Sequence, residues 1–430
     1  MSRLITPLAL LRFNTKASII ATLLAVVVTL TVLATEPMQA QFSDLHNFTG
    51  GGDGGFPNAG LTVGGSGTLY GTATMDGAHG VGLVFKLSER NLNWTLNPLY
   101  AFTDANNDGS GPNAGVVIGP NGALYGTTSY GGTNLVGTVF ELRPPLTVCV
   151  STTCPWNETV LYDFMAGADG ANPYLGNVVF DHAGNMYGTT AYGGAPNCGT
   201  VWKLSPSGGG WTEAVLYTFA GGIGDGCNPY SGVVFDAAGN IYGNTSSGGA
   251  SGDGTIYQLM PMNGGWVEHT IVDLNNGTTG APTFGTLAID QAGNLYGTGE
   301  NFGPQNGGTV FEVSPSAGGW MFSLVYSSND CFPYPGVTIG PDGNLYGTCQ
   351  HGGPSDAGLV FEMPPNCNQT CTPTDLHDFD VSDGLYPHGP VTFDASGNLY
   401  GTTYEGGGHD NCGGFTCGVA FEIAGVGSHR

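Results

Sequence analysis

Basic side chains are scarce. Among 430 residues there are 8 Lys and Arg against 33 Asp and Glu, a formal charge of −25 at pH 7. Beyond residue 40 only Lys86, Arg90, Arg143, Lys203 and Arg430 remain. Nucleic-acid binding needs several cations gathered on one surface to displace phosphate counterions, and five scattered ones cannot form that footprint. The same shortage excludes sites that clamp phosphate, sulfate, sialate or uronate groups with clustered arginines. Cations and neutral ligands remain. A sustained apolar 3.6-residue period is also missing after residue 40, which predicts that helices are nearly absent. In excess are glycine, with 76 residues, and proline, with 26, a content that marks low complexity unless the glycines recur on a period. With 40% hydrophobic and 11% aromatic residues the chain has ample apolar surface to bury.

The one long hydrophobic run is Ala17 to Ala34, behind Arg3, Arg12 and Lys16 and followed by small residues at Ala34 and Ala40. Residues 1–40 therefore read as a signal peptide or an N-terminal membrane anchor. The run is longer than a usual signal core and reaches the lower limit for crossing a bilayer, so both readings stay open. Either one puts residues 41–430 outside the cytoplasm, secreted or at the cell surface. Ten cysteines, even in number and placed mostly in Gly/Pro-rich loops, agree with an oxidising compartment. Three close pairs stand out, Cys149 with Cys154, Cys367 with Cys371 and Cys412 with Cys417, and position in the repeat joins Cys198 to Cys227 and Cys331 to Cys349. Zinc is the alternative, against which stands the lack of paired CxxC motifs with histidines at ligand spacing.

The glycines are periodic. A Tyr-Gly step follows a Gly-Asn turn in Gly184-Asn185-Met186-Tyr187-Gly188-Thr189 and in Gly397-Asn398-Leu399-Tyr400-Gly401-Thr402, with looser copies between. The tyrosines Tyr70, Tyr125, Tyr187, Tyr242, Tyr296, Tyr346 and Tyr400 are separated by 55, 62, 55, 54, 50 and 54 residues, which makes seven repeats. Each unit has a Gly-started apolar strand (Gly115-Val116-Val117-Ile118), the Tyr-Gly strand, a third strand (Gly137-Thr138-Val139-Phe140) and a fourth that often begins at tryptophan. Four short strands repeated seven times predict an all-β, seven-bladed β-propeller of four-stranded blades. The segment Leu45-His46-Asn47-Phe48 reads as a fourth strand while the last unit stops after its third, so the N-terminal strand is expected to pair with the last blade and close the ring.

Gly-Asn-Leu-Tyr-Gly-Thr followed by Gly-Gly and Gly-Thr-Val-Phe resembles the Gloeo_Verruco (GloVer) repeat, a family of tandem repeats in exported bacterial proteins. The resemblance spans residues 43–423. It implies an extracellular location and brings no established activity or catalytic residues.

The repeated strand-two tyrosines and strand-three aromatics resemble a sugar-stacking ladder, but one residue per blade at one position reads as packing between blades. Asp-x-x-Gly-Asn, as at Asp181 to Asn185, reads as a capped turn and lacks the length and terminal glutamate of an EF-hand. Strand direction puts the loops between strands four and one on the same face as those between two and three, and that face is the expected functional one. Its first loop set carries Asp-Gly-x-x-Pro with Asp53, Asp108, Asp169, Asp225 and Asp383, read as turn formers or, alternatively, as carboxylates around the channel mouth for calcium or another hard cation. The second loop set varies from blade to blade: Met75, Tyr130, Tyr192, Ser247, Asn301, His351 and Glu405. Tyr130 and Tyr192, on adjacent blades, suit stacking on neutral sugar rings or contact with another protein. His351, Glu405, His409 and Asp410 form the one titratable cluster on this face, without a Gly-x-Ser-x-Gly elbow or a His-Glu-x-x-His helix. The expectation is a non-catalytic binding or scaffold module for a surface protein or neutral glycan. The alternative is a glycan hydrolase or lyase using Glu405 and His351 as acid and base.

Overall fold

The computed structural model describes residues 40–145 and 155–428. Seven antiparallel four-stranded sheets follow one another around a ring. Among the described residues no α-helix occurs, only short 3-10 turns at Gly65–Gly67 and Val426–Ser428. Blades are numbered 1 to 7 in chain order. Blade 1 runs outward through Thr62–Val63, Leu69–Ala73, Leu83–Arg90 and Asn93–Ala101, and blades 2 to 6 repeat the plan. Residues 1–39, including the signal or anchor, and Cys149 with Cys154 fall outside the described residues.

Blade 7 is built from both ends of the chain. Its sheet runs Thr392–Phe393, Leu399–Thr403, Val419–Ala424 and then Gln41–Asn47 as the outermost strand. Register runs from Gln41 opposite Ala424 to Asn47 opposite Val419. Pairing removes the open sheet edge that a linear array would expose, and the expected closure is present.

The Tyr-Gly signature has a packing cause. Each glycine of the pair lies opposite the strand-three aromatic, as Gly71 opposite Phe85 and Gly188 opposite Trp202. A β-carbon at Gly71 would stand 2.5 Å from the Phe85 ring, and one at Gly401 would stand 2.4 Å from Phe421. The far end of the aromatic ring reaches over the bare backbone, and the ring is buried in every blade. An aromatic at the end of an outer strand then packs edge-on against the strand-three ring of the next blade: Phe48 on Phe85 at 5.3 Å, Phe102 on Phe140 at 5.1 Å and Phe379 on Phe421 at 5.2 Å. Such pairs contribute about 0.5–1.5 kcal/mol beyond burial, so these rings join the blades.

Three blade seams are electrostatically costly. Glu158, Glu213 and Glu268 occupy one outer-strand position, opposite Leu142, Leu204 and Leu259, where blades 1 and 5 have Leu96 and Phe322. Burial, reinforced by Asp108, Asp169 and Asp225 respectively, pushes each glutamate up to about 7. The Oε1 atoms of Glu158 and Glu213 are buried without a hydrogen-bond partner.

The eight described cysteines form four disulfides, Cys198–Cys227, Cys331–Cys349, Cys367–Cys371 and Cys412–Cys417. These are the pairings expected from sequence.

Candidate binding site at the channel mouth

Both variable loop sets reach the mouth of the central channel because one backbone link recurs in every blade. The amide of the residue just after strand two bonds to the loop carbonyl just before or at the proline: Thr74 N–H to Phe56 O at 3.2 Å, Ser129 to Gly111 at 3.0 Å, Ala191 to Asn172 at 3.0 Å and Ser246 to Asn228 at 3.1 Å. Glu300 bonds likewise to Pro282, Gln350 to Phe332 and Tyr404 to Tyr386, each at 2.8–2.9 Å. The residue before the proline takes a left-handed φ in several blades, 54° at Asn172, 59° at Asn228 and 57° at Tyr386, so that its own N–H can reach the preceding blade. Asn suits that conformation better than Tyr does, and Tyr386 holds it with two backbone bonds, from its N–H to Ala357 O and to its carbonyl from Tyr404 N–H.

The loop is thus pinned on both sides, and the residues just after the proline face the channel. They are Asn58 and Asn113 for blades 1 and 2, Tyr174, Tyr230, Tyr334 and His388 for blades 3, 4, 6 and 7, and in blade 5 Phe284, two residues after Pro282. The rings form a continuous arc. Tyr174 meets Tyr230 edge to face at 5.5 Å, Tyr230 meets Phe284 at 5.5 Å, Phe284 stacks on Tyr334 at 5.2 Å, Tyr334 lies 4.9 Å from His388, and His388 stacks on Tyr404 at 4.6 Å. Opposite the arc, Asn58 Nδ2 donates to Asn113 Oδ1 at 3.4 Å, and Asn113 Nδ2 donates to Ser129 Oγ at 2.8 Å.

Above the arc stand Tyr130 and Tyr192, 50% and 37% exposed. Tyr192 shares a 2.6 Å hydroxyl hydrogen bond with Tyr230. Tyr130, Tyr174, Tyr192, Tyr230, Phe284, Tyr334 and Asn172 enclose a cavity of about 390 Å³. Phe284, Tyr334 and His388 also cap a second cavity of about 260 Å³ further along the channel, which Asn58, Asn177 and Thr286 help to line. Burial followed by the hydrogen bond to Tyr192 drives the Tyr230 hydroxyl well above the usual phenol range. The cup is therefore neutral, with hydroxyls that donate and accept.

His388 is a neutral part of the floor. Its Nδ1 lies 3.0 Å from Asn58 Oδ1 and its Nε2 lies 2.8 Å from Gln350 Nε2, an arrangement that fits Nδ1–H donating and Nε2 accepting. Burial, then the proximity of His351, pushes it down to about 4. Glu300 and Glu405 lie outside the lining of both cavities, and burial raises both above the ordinary carboxylate range.

The structure brings Tyr130 and Tyr192 to one cavity and leaves the other candidates apart. His351 faces Asp356 of its own loop at 3.6 Å and packs edge-on against Phe332, so the acid beside it is not Glu405. His409 and Asp410 are exposed on a loop tip. The five loop aspartates do not converge, because each caps its own loop. Asp108 Oδ2 accepts from Tyr100 Oη at 3.0 Å, Thr103 N at 2.8 Å and Thr103 Oγ1 at 2.8 Å, while its Oδ1 accepts from Gly109 N at 2.7 Å. Asp169 accepts from the amides of Met165 and Gly167, and Asp225 from those of Ala220 and Gly226. Asp53 pairs with His46 at 2.9 Å and Asp383 with His377 at 2.9 Å. Among the described residues no group of three or more His, Cys, Asp or Glu side chains is placed to hold a metal ion. A carboxylate already accepting this many bonds is a cap.

The channel-facing residues lie one position before the second-loop candidates, as Tyr404 before Glu405, and five after the first-loop aspartates, as His388 after Asp383. The arc comes from the residues after the proline and is extended by Glu300, Gln350 and Tyr404. Variation between otherwise equivalent blades marks both columns: Asn58, Asn113, Tyr174, Tyr230 and His388 differ where the preceding proline does not.

The Gloeobacter/Verrucomicrobia repeat matches residues 30–176, 108–268 and 175–416. The chain belongs to this repeat family. No curated protein matches it. Solved structures similar to this Gloeobacter/Verrucomicrobia repeat protein include a 6-phosphogluconolactonase candidate from Bacteroides uniformis, with TM-score 0.47 and 16% identity, covering 74% of this chain and 83% of that one. A glucose dehydrogenase-type oxidoreductase candidate from Thermus thermophilus has TM-score 0.42 and 17% identity over 72% of this chain and 94% of its own. An ulvan lyase of polysaccharide lyase family 25 has TM-score 0.48 and 10% identity over 78% of this chain and 86% of its own. At these identities the likeness is one of fold alone. It corrects one expectation. The protein was expected not to be an enzyme, but chains described as enzymes share this architecture, so a propeller scaffold is no ground for excluding catalysis.

Proposed function

We propose that this is an extracellular propeller whose channel mouth binds a glycan free of anionic groups, with sugar rings against Tyr130, Tyr192 and the tyrosines beneath them. The observation that carries this reading is the cavity of about 390 Å³ whose seven lining residues are six aromatics and one amide. Aromatic faces bury the apolar side of a sugar ring while Tyr hydroxyls and the Asn172 amide exchange hydrogen bonds with its hydroxyls. Four disulfides and membership of a repeat family of exported type support the location. The test is a glycan array probed with residues 41–430 and with Tyr230→Ala. The expected result is binding to neutral oligosaccharides that the substitution removes. Absence of binding to every glycan, or binding unchanged by the substitution, counts against the reading.

A second reading is supported by Glu300 and Glu405. Both are partly buried carboxyls whose proton affinity burial raises, the direction of tuning a general acid needs. In that reading the bound glycan is cleaved by hydrolysis or elimination. Incubating bound oligosaccharides with the protein and assaying for new reducing ends and unsaturated products separates the two routes. Loss of product in Glu300→Gln or Glu405→Gln with binding retained would support catalysis.

A further inference from the structure

The mouth cavity is closed below. Phe284 and Tyr334 line both the cavity of about 390 Å³ and the cavity of about 260 Å³ beneath it, so these two rings form the partition between them. They stack with centroids 5.2 Å apart and planes 29° from parallel. The partition is part of a girdle of one residue per blade. From Asn113 the contacts run unbroken through Asn58, His388, Tyr334, Phe284 and Tyr230 to Tyr174, first by hydrogen bonds of 3.4 and 3.0 Å and then from ring to ring. Below the girdle a sugar gains little. Val117, Val179, Val233 and Val234 line the lower cavity, and two of its polar side chains are already engaged, Asn177 Oδ1 accepting from Gly115 N–H at 2.7 Å and Thr286 Oγ1 from Gly232 N–H at 3.0 Å. Hydroxyls moved there would lose water without full replacement.

The cup is also bounded sideways. All seven lining residues come from loops of blades 2 to 6, whereas Asn58, Asn113, His388 and Tyr404 stay outside it. A chain crossing the whole mouth would leave the rings for the polar half, where Asn58 and Asn113 bond to each other. Nor do the rings make a flat platform. Tyr174 and Tyr230 meet at 69°, Tyr230 and Phe284 at 63°, and Tyr192 and Tyr230 at 88°, so neighbouring rings turn corners around a pocket, whereas a platform for a long chain sets its rings side by side in one plane. At about 390 Å³ the pocket is near the lower end of the about 300–1,000 Å³ usual for ligand sites. That is room for a disaccharide and too little for a run of sugar subsites.

We propose that the cup recognises the end of a neutral glycan chain, holding the terminal disaccharide against Tyr174 and Tyr230 above the Phe284–Tyr334 floor, with the rest of the chain leaving into solvent past Tyr130 and Tyr192. This rests on the glycan reading above and narrows its ligand to chain ends and short oligosaccharides. An internal segment of a polymer has no end to insert, and a ring-closed oligosaccharide has none at all. The class of reaction that supplies such a ligand is internal cleavage of a polysaccharide, since each cut creates new ends.

The experiment titrates the purified protein calorimetrically with linear glucose, mannose and galactose oligomers, α-1,4- or β-1,4-linked, from the single sugar to the hexamer, and with the cyclic α-1,4-linked glucose hexamer. The expected result is that affinity rises about tenfold or more from single sugar to disaccharide and then stays within about twofold up to the hexamer. The cyclic hexamer, which has the sugar and linkage of its linear counterpart but no end, should bind about tenfold more weakly than that counterpart or worse. Tyr130→Ala, at a half-exposed position outside the girdle, should weaken disaccharide and hexamer by the same factor, because both make all their contacts inside the cup. Affinity that climbs with every added unit, a cyclic hexamer as tight as the linear one, or a smaller loss for the hexamer than for the disaccharide in the variant shows contacts across the face, and overturns the chain-end proposal while the glycan reading stands. Binding to none of these sugars overturns both.

Discussion

The two halves of the channel mouth are built on one backbone and differ by single residues. Blades 3 to 7 place Tyr174, Tyr230, Phe284, Tyr334 and His388 around an aromatic arc, whereas blades 1 and 2 place Asn58 and Asn113, buried and bonded to each other. The pinned loop and the Tyr-Gly packing beneath are shared, so the difference is not one of fold. A near-symmetric ring acquires a directional site through one side chain per repeat, while the scaffold residues that recur in every blade carry stability.

The largest expected effect breaks the aromatic half. Tyr230→Ala combined with Tyr334→Ala should weaken glycan binding by about tenfold or more, given about 0.5–1.5 kcal/mol for each aromatic contact, as read by calorimetric titration. Asn113→Ala on the polar half should leave affinity within about twofold. Equal losses from both halves would remove the distinction.

Next come the caps. Asp108→Ala removes a carboxylate that accepts four hydrogen bonds, two of them from backbone amides, and should cost about 2–4 kcal/mol in urea unfolding without altering ligand affinity. Calcium or a chelator should leave the melting temperature of the unaltered protein in place, since these aspartates are committed to their own loops. A calcium-dependent rise would return them to the status of ligands.

A smaller effect compares the seams. Glu158, Glu213 and Glu268 have proton affinities raised in the folded state, so their ionisation opposes folding. That penalty is absent below the unfolded value near 4.5 and develops as pH rises toward about 7. Replacing all three with Gln should raise the melting temperature at pH 8, by a contribution of about 1 kcal/mol per site after allowing for solvent screening, and the gain should fade toward pH 4. A gain independent of pH would point to some cause other than ionisation. The smallest effect is spectroscopic: the nitrogen shifts of His388 should stay those of a neutral ring at pH 5.5, because burial holds it down to about 4, and a protonated ring there would contradict its place in the floor.

The fold was legible because packing demands the same residues in each repeat. Gly71 and its six equivalents must be glycine beneath the strand-three ring, and the Asp181 turn repeats because one carboxylate accepts from Ala183 and Asn185 amides and from the Tyr187 hydroxyl. Strand count, closure and the described disulfides follow from such recurrences. The site was only half legible. Tyr130 and Tyr192 show as departures from a repeat, but Tyr174, Tyr334 and His388 depart in the same way and were hidden behind a proline whose role as a strand stop accounted for its neighbourhood. What decides their importance is the inward turn of the loop. That turn depends on a left-handed residue and on inter-blade backbone bonds that no spacing reveals.

Blade 7 takes its outer strand from Gln41–Asn47 and its other three from Thr392–Ala424. The first strand to be synthesised must therefore wait, without its mate, for the last. Until release from the ribosome the molecule is a necklace with an undone clasp, and a truncation that removes either Gln41–Asn47 or Val419–Ala424 leaves the same seam open.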